Sequence, residues 1–184
     1  MELLDRDQSV LVVVDIQERL LPAIHGREAL VPRVKLLAFG ARTMGVPIIL
    51  TEQYPKGLGP TVPELKEALG APQPLTKVEF SCASGPGFMA KLTAMGRKQV
   101  VLCGIESHVC MAQTTVELRG HGYKVWLATD AMGSRRLRDH ESALRRLETG
   151  GAVLTTAEAV VFEWLRRAGT AEFKSVVGKV KEYD

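Results

Sequence analysis

The feature that most constrains this chain is a series of short, β-branched apolar runs, each followed by a polar or glycine-containing turn and then by a segment of helical periodicity. Runs such as Val10-Leu11-Val12-Val13-Val14 and Val100-Val101-Leu102-Cys103 are continuously apolar, a pattern that suits strands covered on both faces better than half-exposed ones. Candidate strands fall at 9–15, 46–51, 75–80, 99–104, 124–129 and 152–155, and helical patterns at 28–44, 62–69, 87–95, 108–119 and 138–149. Gly45, Gly70, Gly96, Gly120 and Gly150 stand where these helices would stop. The alternation predicts an α/β, three-layer Rossmann-like fold, with a roughly six-stranded parallel sheet and helices on both faces. Ligands of such sheets bind in the crevice at the carboxyl ends of the strands. Chemistry is therefore sought just after each strand.

A chain of 184 residues, 46% apolar, has the size and composition of one domain, 1–184. No linker, repeat or low-complexity tract divides it. The segment 54–63 carries Gly57, Gly59, Pro55, Pro60 and Pro63 and reads as a long loop able to touch substrate. The tail 170–184 mixes Phe173, Val176, Val177 and Val180 with lysines, as an amphipathic helix would when packed on its own domain or on a neighbouring subunit. A net charge of +3 gives no reason to expect a nucleic acid or membrane partner. The densest basic run, Arg135, Arg136 and Arg138 with Arg145 and Arg146, has the spacing of a solvated helix face. No run approaches the roughly 18 apolar residues of a membrane span, and Glu2, Asp5, Arg6 and Asp7 stand where a signal core would be apolar. A cytoplasmic setting is expected. Three cysteines without framework spacing point to thiols rather than disulfides.

Three strand ends carry ionisable groups where burial normally excludes them. Asp15 follows five apolar residues; a carboxylate there is paired, functional, or an N-cap for a helix over 17–21. Lys77 lies between Thr76 and Val78 at a strand end, where a solvated lysine is the ordinary alternative. Cys110 falls in Gly104-Ile105-Glu106-Ser107-His108-Val109-Cys110, in the first turn of a predicted helix. The unpaired N–H groups and dipole of that turn favour thiolate and would depress its pKa. Cys103, inside a strand, reads as a buried apolar residue, and Cys82 has no comparable setting. At the ends of strands one, three and four, a base, a cation and a thiol can share one pocket.

These residues are where the chain resembles a known family, the isochorismatase-like cysteine hydrolases, which include nicotinamidases and N-carbamoylsarcosine amidohydrolases. The matching pieces are Val12-Val13-Val14-Asp15-Ile16-Gln17, Lys77 with Phe80-Ser81, and the stretch from Gly104 to Cys110. It is most similar to the isochorismatase domain-containing subgroup in Thr51-Glu52-Gln53-Tyr54-Pro55, Thr129-Asp130-Ala131 and Ser134-Arg135. The resemblance implies a catalytic Asp15, Lys77 and Cys110, a cis peptide between Ile105 and Glu106, and an oxyanion hole from the N–H groups of Glu106 and Cys110. Gln17, Gln53, Tyr54, Phe80 and His108 are candidates for the substrate pocket, and a homo-oligomer is expected. Nicotinamidases bind a metal through histidines near the second strand, whereas here that region reads Glu52-Gln53-Tyr54; no metal and no cofactor is expected. Isochorismatases acting on a vinyl ether lack the cysteine, so Cys110 favours amide or related acyl chemistry on a small molecule.

Two other readings compete. A reactive Cys110 without turnover would make the chain a binding or redox-sensing protein. Gly85-Pro86-Gly87-Phe88-Met89-Ala90 has the form of a dinucleotide fingerprint, but that motif belongs in the first strand-to-helix turn, where this chain has no glycine. His25, His108, His121 and His140 show no zinc spacing. Structural or surface roles are expected for them, with His108 closest to Cys110. Trp126, like Tyr54 and Phe80, has the character of core or loop packing.

Overall fold

The computed structural model describes residues 2–182, so the expectations for positions 1, 183 and 184 lie outside the described residues. Six strands form one wholly parallel sheet: β1 (Ser9–Val14), β2 (Ile48–Gln53), β3 (Leu75–Lys77), β4 (Gln99–Ile105), β5 (Lys124–Gly133) and β6 (Val153–Thr155), in the order β3-β2-β1-β4-β5-β6. This is the doubly wound α/β arrangement predicted from the apolar runs. Every residue of β1 and β4 is buried, which explains why neither strand alternates. The direction of winding reverses between β1 and β4, leaving a crevice at their carboxyl ends.

The pleat sends alternate side chains to two apolar layers. Leu11, Val13, Val101, Cys103 and Trp126 face the layer shared with α1 (Arg27–Thr43), α7 (Ala157–Leu165) and α8 (Ala171–Val180). Val10, Val12, Val14, Val100, Leu102 and Val125 face the layer of α4 (Phe88–Ala94), α5 (Ala112–Gly120) and α6 (Leu137–Thr149). The shorter α2 (Pro55–Leu58) and α3 (Pro63–Ala68) follow β2. The tail helix α8 buries Val176 and Val180 and meets α7 through an edge-on Phe162–Phe173 contact, so its apolar face is spent on its own chain. Among the described residues, no helix is long and apolar enough to cross a membrane.

Several local expectations are corrected. The segment 54–63 is not all loop, because α2 and the start of α3 lie within it, and α7 is a helix that the sequence pattern does not predict. α7 reads Ala-Glu-Ala-Val-Val-Phe-Glu-Trp-Leu and is buried along most of its length, which blurs the amphipathic period that marks a surface helix. The glycines with positive φ after α5 and α6 are Gly122 and Gly151, one or two residues beyond the expected stops. β3 ends at Lys77, and β5 runs on to Gly133 through an irregularity: Leu102 pairs with Leu127, but Gly104 pairs with Met132.

Gly104 is the tightest point in the sheet. Its φ is +126°, and a Cβ there would sit 2.1 Å from the Val14 carbonyl oxygen on the neighbouring strand. Gly96, by contrast, has φ +66° and open space around it. We expect Gly104→Ala to lose about 4 kcal/mol or more, through a clash with backbone that cannot yield, and Gly96→Ala to lose only about 1–2 kcal/mol for its left-handed φ. Chemical denaturation of the two variants beside the wild type checks this; similar midpoints for both would contradict it.

Candidate active site

Each candidate group stands where its strand stops. Asp15 follows β1 with φ +55°, a left-handed conformation that Asp tolerates better than most residues. No helix spans 17–21; a short 3₁₀ turn begins only at Leu21, so Asp15 is not an N-cap. Its carboxylate is fully buried and takes two partners: the Thr51 hydroxyl donates to Oδ1 at 2.7 Å, and the Lys77 ammonium to Oδ2 at 2.6 Å. The Lys77 side chain is 3% exposed, which excludes the solvated alternative. Nζ also donates to Gln53 Oε1 at 2.7 Å and to the Phe80 carbonyl at 3.3 Å. An ammonium has three N–H bonds, and all three are used. Burial pulls the lysine pKa down, but the Asp15 carboxylate, with smaller help from Cys82 and Cys110, outweighs this and holds it above the ordinary value. Lys77 therefore carries a fixed positive charge.

Cys110 lies across the β1/β4 crevice, in a π-helical turn, Ser107–Met111, that precedes α5. The expectation of a depressed thiol pKa is not met. Burial pushes the Cys110 thiol well up, the Asp15 carboxylate pushes it further by charge and as a hydrogen-bond acceptor, and Lys77 only partly opposes them. The dipole argument fails because the wide turn buries the sulfur before water can solvate an anion. Loss of the proton to solvent would leave a dry site with one uncompensated negative charge. Transfer to Asp15 would keep the sum at zero: thiolate, ammonium and neutral carboxyl.

Cys82, for which the sequence suggests no special setting, belongs to this cluster. It is fully buried, its sulfur is 3.7 Å from Thr51 Oγ1, and burial together with Asp15 pushes its pKa up to about 11. Because the Thr51 proton goes to Asp15, the Cys82 thiol is the donor in that pair. Thr51 is a member that sequence reasoning misses, although a polar residue ending the run from 46 to 50 beside Asp15's strand is a signal of the same kind. Cys103 is buried in β4, as expected.

The pocket candidates do not converge equally. Gln53 helps to hold Lys77, its amide fixed by donating to the Val78 carbonyl at 2.8 Å. Gln17 is fully buried and spends both ends of its amide on backbone, donating to Gln53 and Gly59 carbonyls and accepting from Gln53 N; it staples the segment after β2 and has nothing left for a ligand. Glu52 is occupied in the same way by the Thr61 N–H and hydroxyl. Tyr54 and Phe80 are 53% and 54% exposed, so neither is core packing, whereas Trp126 is. Tyr54 lines a cleft of about 340 Å³ with Pro55, Thr76, Lys77, Val78 and Pro86. His108 is half-buried, its Nδ1 3.0 Å from Ser134 Oγ. Among the described residues, no group of three or more His, Cys, Asp or Glu side chains could hold a metal ion.

The turn before Cys110 is gripped by the end of β5. The peptide between Ile105 and Glu106 is cis. The Glu106 carboxylate accepts from the Arg135 N–H at 3.2 Å and from its Nε at 3.0 Å, and the buried Ser107 hydroxyl donates to the Gly133 carbonyl at 3.0 Å. With the His108–Ser134 contact, residues 133–135 hold 106–108 together. The irregularity in β5 is what carries those residues alongside.

A doubly wound sheet with a buried acid–lysine pair facing a thiol across its crevice defines a class of hydrolase-like folds, and similarity to known proteins gives that class a family. Residues 9–159 match the family model described as the isochorismatase domain, and the chain belongs to that family. It is 41% identical over 170 residues to isochorismatase domain-containing protein 2 of Danio rerio, covering 91% of this chain and 84% of that protein. It is 38% identical to isochorismatase domain-containing protein 1 of the same organism over 94% of this chain, but spans only 61% of that protein's length. Among solved structures, the MAR1 ribonuclease of Caenorhabditis elegans superposes with a TM-score of 0.90 at 36% identity, covering 98% of this chain and 93% of the other. YcaC from Pseudomonas aeruginosa, determined with covalent acrylamide, has a TM-score of 0.91 at 28% identity, covering 99% and 94%. YcaC of Escherichia coli, described as an octameric hydrolase of unknown specificity, has 0.92 at 26%, covering 100% and 93%.

With the Cys110 thiol held above its ordinary value of 9.0, the native protein is expected to show no Cys110 thiolate step below that pH. Ultraviolet thiolate absorbance of the wild type minus Cys110→Ala, followed through an alkaline titration, measures it. A step near neutrality would overturn this assignment.

Proposed function

We propose that this chain hydrolyses a small amide or related acyl compound through a thioester on Cys110, with Asp15 as the shuttling base and Lys77 as a fixed charge. The observation that carries the reading is the buried Asp15–Lys77 pair at 2.6 Å, with both partners at most 3% exposed, acting on the thiol of Cys110. A buried ion pair is poor as a device for stability alone, because desolvation costs several kcal/mol per ion. Beside a thiol it has a use, since it lets the proton move without changing the net charge.

As the sulfur attacks the carbonyl carbon, its proton passes to Asp15 and the carbonyl oxygen becomes an oxyanion, received by the N–H groups of Glu106 and Cys110. Removing one donor of this kind typically costs about 10²–10³ in rate. The intermediate collapses with loss of the amine, which takes the proton from Asp15 and leaves a thioester. Water then attacks, Asp15 takes one of its protons, and the acid departs as the thiol is restored. Lys77, with every N–H already used, acts through its field on thiolate and oxyanion rather than by bonding the substrate.

Two further points accompany this. The octameric E. coli neighbour supports a homo-oligomer, which light scattering would test. The ribonuclease name of the C. elegans neighbour raises RNA as a substrate, but a fully buried Asp15 and a Cys110 only 6% exposed favour a molecule small enough to enter the crevice.

In a panel of small amides, carbamoyl compounds and RNA, we expect turnover of at least one small acyl compound. Cys110→Ala is expected to lower it by about 10³-fold or more, and intact mass should show an acyl adduct on the wild type alone. Undiminished hydrolysis by Cys110→Ala, or degradation of RNA that survives that change, would overturn the proposal.

A further inference from the structure

The hydroxyl of Ser107 makes a second contact that the reaction above does not use. Ser107 is fully buried, follows Glu106 directly and opens the turn that carries Cys110. Its oxygen lies 2.8 Å from His140 Nδ1, on α6. A hydroxyl has a single proton, and the Gly133 carbonyl, which can only accept, takes it. The imidazole is then the donor, Nδ1–H to Ser107 Oγ, and the chain of bonds runs from His140 to Ser107 to Gly133. Burial keeps His140 below the ordinary histidine pKa, opposed by Glu141 on the same helix and reinforced by His25 from the segment before α1. The ring is therefore neutral near pH 7, with Nε2 bare. The ring also lines a cavity of about 150 Å³, shared among others with His25, Thr129, Asp130 and Leu137.

Of the two neighbouring ties, that of Arg135 is the weaker hold. Arg135, which binds Glu106, is 60% exposed on its side chain, where water competes for the guanidinium; His108 with Ser134 is part-buried, as is His140 with Ser107. Ser107 itself is fully buried and so is its bond to the Gly133 carbonyl, while the bond from His140 reaches it from a part-buried ring; at a hydroxyl so enclosed a missing partner costs most.

We propose that His140 is a positioning residue for the reaction: by donating to Ser107 it fixes the turn whose N–H groups, at Glu106 and Cys110, receive the oxyanion. The proposal rests on the cysteine-hydrolase reading above and goes beyond it, because the hydrogen bond of His140 goes to Ser107 and not to the thiol or the acid–lysine pair.

Acrylamide is a probe that needs no knowledge of the natural substrate. The Cys110 sulfur bonds to the terminal alkene carbon, the alkene electrons move onto the amide oxygen as an enolate, and the thiol proton is delivered by way of Asp15 to the remaining alkene carbon; nothing leaves. The enolate oxygen calls on the same N–H groups as the oxyanion. Adduct formation is followed by intact mass for the wild type, Cys110→Ala, His140→Leu, His140→Gln and His140→Asn, with thermal melting to confirm that each is folded. An Asn amide places a nitrogen where Nδ1 stands, whereas Gln reaches the position of Nε2 and Leu offers no donor. We expect His140→Leu and His140→Gln to lower the maximal rate by about 10-fold to 100-fold with an unchanged half-saturating concentration, and His140→Asn to keep most of the wild-type rate. A His140→Leu variant as fast as wild type, or a folded His140→Asn as slow as His140→Leu, would overturn the positioning role while leaving the nucleophile intact. A wild type with no adduct at Cys110 would instead overturn the cysteine-hydrolase reading, and the role of His140 with it.

Discussion

The structure depends on one buried charge pair, Asp15 with Lys77. The two residues end strands that are not neighbours, because β2 lies between β1 and β3. The pair therefore closes over the end of β2, and the two polar side chains that β2 offers there complete it: Thr51 on the carboxylate and Gln53 on the ammonium. Taking two ions out of water costs several kcal/mol each, and their attraction offsets this only when the remaining lone pairs and protons are also satisfied. Here they are. Among the described residues no buried side-chain nitrogen or oxygen lacks a partner. Three strand ends are thus tied into one wall, and a lysine so enclosed is held in its charged form.

The opposite wall is built by different means. β4 approaches β1 so closely at Gly104 that no side chain fits between them, and the chain then leaves the sheet in a wide turn rather than a regular helix start. Within it the Val109 and Met111 N–H groups both donate to the Glu106 carbonyl, but the side chains of 106–108 need definition of their own. Residues 133–135, carried past by the irregular β5, supply the definition from outside. The site is rigid on the charged side through ionic and amide contacts, and on the thiol side through a strap borrowed from the next strand.

The raised pKa of Cys110 changes how the proposed nucleophile is understood. A helix dipole alone suggests a standing thiolate. The enclosed site favours instead a resting thiol that ionises only into Asp15, so that reactivity is tied to an acceptor already in place. In the proposed reaction that arrangement would protect the sulfur from adventitious chemistry in water, since thiolate and substrate would appear together.

Much of this is legible in the sequence. The continuous apolar runs determine a parallel sheet covered on both faces, since only strands buried on both sides need no polar alternation. An acid, a lysine and a cysteine placed just past three of those runs determine where to look for chemistry, because a charge buried at a strand end persists only when it is paired or put to use. What those residues touch is decided only by tertiary structure. Cys82, Ser107 and His140 are ordinary residues in sequence that no periodicity marks, and Thr51, although it ends an apolar run, does not show there what it touches. The direction of the Cys110 pKa shift is opposite to the one its helix turn implies, because local dipoles are sequence-near whereas desolvation and the Asp15 charge come from segments far along the chain. The sequence by itself determined which groups stand at the sheet's edge; the fold alone decided how much water each one sees, and that is what governs their charge.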